Sequence, residues 1–388
     1  MTGNSAPRRL NAVDALRGVA ALAVVVHHWT QFAVGGPAGN ANDMSRLPFA
    51  LVLRPAYEYG FLAVDLFFVI SGFVFFWLYG QAVASRAMPA ARFAVLRLSR
   101  LYPLHLATLL LVAVGQAWWT AHGNTPFIYQ WNDLRHFLLN LGFASSWGFE
   151  RDMSFNGPAW SVSVEILLYV VFFAWVRWLP RRLIPCLLGA VAGRVLFLDY
   201  FPIGRGLSGF FIGGAIAVWH ERRQHAVGAS ASLAPVWLAG IAWAVSLATL
   251  YLDPLAMVAS WMRQLGPDAA ATPLRVLGLF ANNWSRVVLM PATVMAAVAL
   301  DDRLGVRLRN LSALGELSYS AYMIHFPLQL AMMNILVRVA PGANVVYSPV
   351  AFLLFLAIVV ATSLWTYRKF EYPAQQWIRG RLASPRLT

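Results

Sequence analysis

Cysteine and lysine are almost missing from this chain, and acidic residues are few. Of 388 residues only Cys186 carries a thiol. One cysteine excludes an internal disulfide and any cysteine-rich metal site, and no metal is expected. Lys369 is the sole lysine, so the positive charge is nearly all arginine. Charged residues of both signs make up only 12% of the chain, with 16 acidic against 30 basic and a formal net charge of +14. Such a balance can mark a nucleic-acid binder. Here the arginines are scattered among short loops, with no basic domain or tail, and no nucleic acid is expected as a partner. A cleavable signal peptide is not expected either. The first apolar segment follows Arg8 and Arg9, but it is long and contains Asp14 and Arg17, whereas a signal core is shorter and uncharged.

Apolar length is what the chain has in abundance. Hydrophobic residues make up 59% and mean hydropathy is +0.60. Apolar runs of about 20 residues recur from end to end, which predicts an all-α, polytopic transmembrane bundle in the lipid bilayer. Ten spans are predicted, at about 11–33, 60–81, 100–121, 160–179, 183–201, 204–220, 233–253, 284–301, 314–338 and 348–369. One membrane-embedded domain covers 1–388, without an appended soluble domain. Arginines concentrate in alternate connections, among them Arg86, Arg92, Arg97 and Arg100, Arg181 and Arg182, Arg222 and Arg223, and Arg303, Arg307 and Arg309. That bias places both termini in the cytoplasm. Three outer segments are long, at about 34–59, 122–159 and 254–283. The middle one contains WNDLRHFLLNLGFASSW, which reads as an interfacial helix.

Polar residues inside the apolar runs are the candidates for chemistry. The first span reads DALRGVAALAVVVHH from Asp14 to His28. Arg17 and His28 are eleven residues apart, about three turns and roughly 16 Å, which returns to nearly the same helix face. Asp14 shares that face and His27 points away. Each charge at mid-membrane costs about 2.5–3.5 kcal/mol even on a lenient scale. Asp14, Arg17, Asp65 and Glu165 must therefore pair or line a watered cavity. Ser71 and Gly72 follow Asp65, where close helix packing is a stronger reading than catalysis. Arg97 and Arg100 are three apart at the start of the third span and suit a phosphate-bearing ligand. Ordinary loop charge is the plain alternative. Pro103 predicts a helix start or kink, and His105 reads as structural. Ser161 and Glu165 share one face of the fourth span. In the ninth, Ser318, Tyr322, His325 and Gln329 form a continuous polar stripe, with Pro327 distorting the helix just beyond His325. Glu371 reads as the partner of a cytoplasmic arginine.

Five motifs, in order, resemble the membrane acyltransferase 3 family, which O-acylates bacterial surface sugars and some small molecules. They are VDALRGVAALAVVVHHW, AVDLFFVISGF, RLSRLYP, WSVSVE and SYSAYMIHFP. One departure is Ala63-Val64-Asp65, where the family has Gly-Val-Asp; the aspartate is intact. The resemblance covers nearly the whole chain and is to the stand-alone type. It implies an acyl-CoA donor, most often acetyl-CoA, from the cytoplasm. It also implies a hydroxyl acceptor on a cell-surface or lipid-linked glycan, reached from the outer side of a bacterial inner membrane. His28, Glu165, Asp65 and His325 are the expected catalytic positions, and Arg17, Arg97 and Arg100 the expected donor-binding ones. An alcohol needs a base to attack a thioester at neutral pH, and His28 is the first choice, oriented by Glu165 or Asp65. Direct transfer and a transient acyl-enzyme both remain open. Trp147 and Trp160 border the longest outer loop and could stack sugar rings; the alternative is an aromatic belt. The rival reading is a proton-coupled transporter or polysaccharide flippase, which uses the same buried residue types.

Overall fold

A computed structural model of the chain describes residues 10–32, 43–196, 201–225, 232–264, 283–340 and 345–382. Arg8 and Arg9, and parts of the first and third long outer segments, lie outside them. The described residues form helices and no strand. The principal helices are α1 (Asn11–Trp29), α2 (Ala50–Tyr59), α3 (Ala63–Leu78), α4 (Ala90–Ala121), α5 (Leu134–Leu141), α6 (Trp160–Trp178) and α7 (Leu183–Leu196). Then follow α8 (Phe201–His225), α9 (Ala234–Leu252), α10 (Met290–Leu304), α11 (Ser318–Val339), α12 (Pro349–Thr366) and α13 (Tyr372–Leu382).

Among the described residues, 7 helical stretches are long and apolar enough to cross a membrane. They are α1, the joined α2–α3, α4, α6 with its lead-in, α9, α11 with its lead-in, and α12 running into α13. The other three predicted spans are helical but differ in kind. The α7 helix has 14 residues, about 21 Å, which is short of a bilayer core of about 30 Å. The α8 helix is long but carries Arg205, Glu221, Arg222 and Arg223. A π-turn at Ser285–Leu289 leads into α10.

Two boundaries differ from the sequence reading. Helix α2 precedes the predicted second span and joins it through a short 3-10 turn at Gly60–Leu62. Helix α4 starts ten residues early because nothing after Pro89 breaks it, and Pro103 sits inside it. Arg97 and Arg100 therefore ride in the body of a long helix, not on a loop.

Proline inside a helix frees the carbonyl four residues earlier. At Pro327 that carbonyl is Met323 O, and Asn156 Nδ2 donates to it at 3.0 Å. At Pro55 it is Leu51 O, which accepts from Tyr251 Oη at 2.6 Å. The Asn-Gly-Pro turn before α6 is thus tied to the helix that carries His325.

Glycines set the closest helix approaches. A Cβ on Gly72 would lie 1.8 Å from Phe210 O, and one on Gly213 would lie 2.0 Å from Val69 O. Helices α3 and α8 therefore touch backbone to backbone. The same holds beside Arg17, where a Cβ on Gly18 would meet Leu314 O at 2.3 Å and one on Gly315 would meet Asp14 O at 2.6 Å. The start of α1 is capped from another helix. Buried Asp301 accepts from Ala12 N at 2.9 Å and Val13 N at 3.2 Å.

The predicted interfacial helix is the eight-residue α5. Its faces are inverted relative to a soluble helix: His136 and Asn140 are 1% exposed, while Leu134 is 72% exposed. Asn140 O accepts from His105 Nε2 at 2.8 Å, which ties α5 to α4 and gives His105 its structural role. Asp133 caps α5 through His136 N and also meets the His136 ring. Those two hydrogen bonds hold its carboxyl below the usual carboxylate range. A lowered carboxylate stabilises above its unfolded pKa, so the cap is intact at neutral pH and is lost as pH falls through the lowered value.

Gly72→Ala should lower the thermal midpoint in detergent sharply, because the new methyl meets backbone that cannot move aside. Asn156→Ala should cost about 1–3 kcal/mol by baring the Met323 carbonyl. Thermal unfolding of both purified variants checks these outcomes.

Candidate active site

Two connected cavities lie within the bundle. The inner chamber is narrow, ≈ 90 Å³, and is lined by Ser71 from α3, Ser161, Glu165 and Tyr169 from α6, and Ser318, Tyr319 and Tyr322 from α11. The wider mouth is ≈ 310 Å³ and is lined by Asp14, Tyr79, Glu316, Glu371, Gln375 and Arg379. Arg17, Arg97 and Arg100 line both. Asp14 and Arg379 bring both ends of the described chain to this mouth.

The three guanidiniums come from two helices. Arg17 sits one turn into α1 beyond Asp14, at 4.0 Å from it. Arg97 is 8% exposed. It donates to Tyr79 Oη and lies over the rings of Phe75 and Tyr79 at 5.1 Å and 4.4 Å. Its buried Nε has no hydrogen-bond partner among the described residues. Arg100, one turn further along α4, faces both cavities. These groups can hold phosphate oxygens, each through parallel hydrogen bonds. Among the described residues no group of three or more His, Cys, Asp or Glu could hold a metal ion.

Glu165 accepts from Ser71 Oγ at 3.1 Å and from Tyr169 Oη at 2.7 Å. Ser71 and Gly72 thus divide the two readings of that pair. The glycine packs α3 on α8, and the serine faces the chamber. Ser161 Oγ meets Tyr322 Oη at 2.7 Å, and Tyr322 Oη lies 2.7 Å from Pro158 O.

The two predicted histidines meet one turn of α11 beyond Tyr322. His28 Nδ1 lies 2.6 Å from His325 Nε2, with the rings stacked at 4.8 Å. His325 Nδ1 lies 3.1 Å from Ala321 O. A carbonyl only accepts, so His325 carries its proton on Nδ1 and its Nε2 is an acceptor. His28 then donates from Nδ1, and the lone pair on His28 Nε2 is left to act as a base. Gln329 Nε2 holds the backbone at His28 O, at 2.9 Å. Tyr322 lines the chamber with Phe67 packed on its ring, and the Tyr322 ring lies 6.0 Å from that of His325, linking the chamber to this pair.

The predicted carboxylate partner for His28 is therefore replaced by an imidazole. Asp65 does not line the chamber. It is 2% exposed and accepts from Arg205 Nε at 3.1 Å and Arg205 Nη2 at 2.5 Å. Arg286 Nε approaches it at 3.3 Å. Asp65 thus ties α3 to α8 and to the π-turn before α10. Arg205 and Arg286 escaped the sequence reading. Their signal was present, since each is a lone arginine just inside a predicted span, but both fall near an edge where loop charge is ordinary. Glu371 accepts from Ser320 Oγ at 2.6 Å and faces Arg100 and Arg17 across the mouth, where their charges act on it. Trp147 Nε1 donates to Ser163 O at 2.9 Å, and Arg205 lies over Trp160 at 5.2 Å, so both rings are anchored to the bundle.

A family model described as an acyltransferase domain, Acyl_transf_3, matches residues 10–368. The chain belongs to this family. It is similar to Protein 2 in the picA locus of Rhizobium radiobacter, 32% identical over 44% of this chain and 84% of that protein. The acyltransferase MdmB of Streptomyces mycarofaciens is 33% identical over 47% of this chain and 44% of its own length. BcsY of Komagataeibacter xylinus, whose name describes a membrane-bound transacylase, is 27% identical over 69% of this chain and 66% of its own. No solved structure matches. The protein is a multi-pass membrane acyltransferase, which replaces the transporter reading.

Asp65→Ala should destabilise the fold by about 3–5 kcal/mol by leaving buried guanidiniums uncompensated. Ser71 and Tyr169 donate to the same oxygen of Glu165, so the amide oxygen of Glu165→Gln can accept from both and the variant should melt close to the wild type. Thermal unfolding of the two variants side by side checks the contrast.

Proposed function

We propose that the protein moves an acyl group, acetyl first among candidates, from acyl-CoA to a hydroxyl of a cell-surface or lipid-linked glycan. The observation that carries the reading is the order of groups across the bundle: an arginine-lined mouth, a narrow chamber, then the His28–His325 pair. Phosphates of the donor would rest on Arg17, Arg97 and Arg100, and the slim pantetheine arm would enter the chamber. The glycan acceptor and the bacterial inner membrane come from the resemblance. With the mouth facing the cytoplasm, both chain ends face it too, in keeping with the arginine bias.

In the reaction, His28 Nε2 takes the proton of the acceptor hydroxyl as its oxygen attacks the thioester carbonyl. The carbon–sulfur bond breaks, the ester forms, and the imidazolium returns the proton to the departing thiolate. His325 holds the His28 ring and its tautomer, so the lone pair faces the acceptor. Glu165 and its serine and tyrosine partners shape the chamber without touching the histidines. Asp65 keeps α3 in register.

Purified protein with acetyl-labelled acetyl-CoA and extracted surface glycan tests the reading, by free CoA and labelled glycan together. Both should appear with the wild type. His28→Ala should lower the rate by about 10²–10⁴-fold while leaving the protein folded. His325→Gln should lower kcat more than it raises KM for the donor. Turnover at the wild-type rate in His28→Ala would remove His28 from the chemistry.

A further inference from the structure

The mouth has a fourth arginine, and it comes from the end of the chain. Glu371, Gln375 and Arg379 recur every four residues and all line the mouth. Arg379 Nε donates to Ser99 Oγ at 3.2 Å, and its Nη2 donates to Leu96 O at 3.0 Å. Those two acceptors flank Arg97 and Arg100 on α4. The guanidinium is thus clamped beside two others, and its Nη1 makes no hydrogen bond to a described residue. Like charges held this close favour an anion between them.

Position separates Arg379 from the rest. Arg17, Arg97 and Arg100 line both cavities, whereas Arg379 and Gln375 line only the mouth. A coenzyme A donor is a linear molecule: thioester, pantetheine, pyrophosphate, then a ribose bearing the 3′-phosphate. With the thioester directed at His28, the pyrophosphate falls among the three shared arginines. The 3′-phosphate is then the outermost anion and meets the outermost cation.

We infer that Arg379, with Gln375 beside it on α13, reads the 3′-phosphate of the donor and makes the C-terminal helix part of the binding site. This rests on the acyl-CoA reading above. The clamp on α4 sets the guanidinium in place before the donor arrives, which is how a fixed fork gains specificity for a phosphate.

The test compares acetyl-CoA with 3′-dephospho-acetyl-CoA on the wild type, Arg379→Gln and Arg379→Lys. The wild type should show a KM about tenfold lower for acetyl-CoA than for the dephospho donor. Arg379→Gln should raise the KM for acetyl-CoA by a similar factor at unchanged kcat, and leave the KM for the dephospho donor as it was. Arg379→Lys should recover part of the difference. Should Arg379→Gln fold poorly, wild-type affinity for CoA against 3′-dephospho-CoA reads the same preference. Equal losses with both donors, or no preference in the wild type, would overturn the inference alone. Absence of any acyl-CoA turnover or binding by the wild type would overturn the donor reading with it.

Discussion

The structure depends on one constraint: a charge placed among apolar helices must meet either an opposite charge or water. The chain satisfies it in two ways. Asp65 is buried and meets Arg205 in a two-point pair, with Arg286 at its edge. Such a pair adds little net stability, but losing one member is costly, so it fixes where α3, α8 and the π-turn before α10 must meet. Arg17, Arg97 and Arg100 are treated in the opposite way. They are gathered around a cavity, where the proposed reading has them meet the donor's phosphates. Separating anchored charge from available charge is what divides the scaffold from the site.

Backbone chemistry then fixes the geometry to within ångströms. Glycines at 18 and 315 bring the short helix before α11 against α1 beside Arg17. Asp301 caps α1 in place of a cap of its own. Pro327 frees the carbonyl of Met323, two residues before His325, and Asn156 claims it. The last two contacts satisfy backbone groups that would otherwise be unpaired, and the glycine approaches leave no room for a side chain, so all admit few alternatives. The outcome is that His28 and His325, 297 residues apart in sequence, come within 2.6 Å. Two π-turns, at Ser285–Leu289 and at Tyr367–Glu371 between α12 and α13, act similarly, placing Arg286 and Glu371 inside the bundle. A π-turn widens a helix by one residue and re-aims what it carries.

Much of this was legible beforehand. The helical class, the polar face of α1 and the stripe on α11 follow from period and composition alone, because the cost of burying polar groups leaves few other arrangements. Arg97 and Arg100 were legible as a pair, but not that their helix begins at Ala90. A boundary depends on where neighbouring helices support the backbone, and that is tertiary. Asp65 shows the limit most clearly. Its need for a partner was evident, but spacing along one helix cannot say which distant arginine supplies it.

The sequence by itself determined that this is a helical membrane protein whose polar residues converge on an interior site, since solvation energetics act on each residue wherever the chain goes. Only the tertiary structure decided which of those residues share a cavity. It joined His28 to His325 instead of to a carboxylate, assigned Asp65 to the scaffold, and brought Arg379 to the mouth beside Arg97 and Arg100. Partner choice is set by how helices cross and approach, and those distances come from packing between segments far apart in the chain.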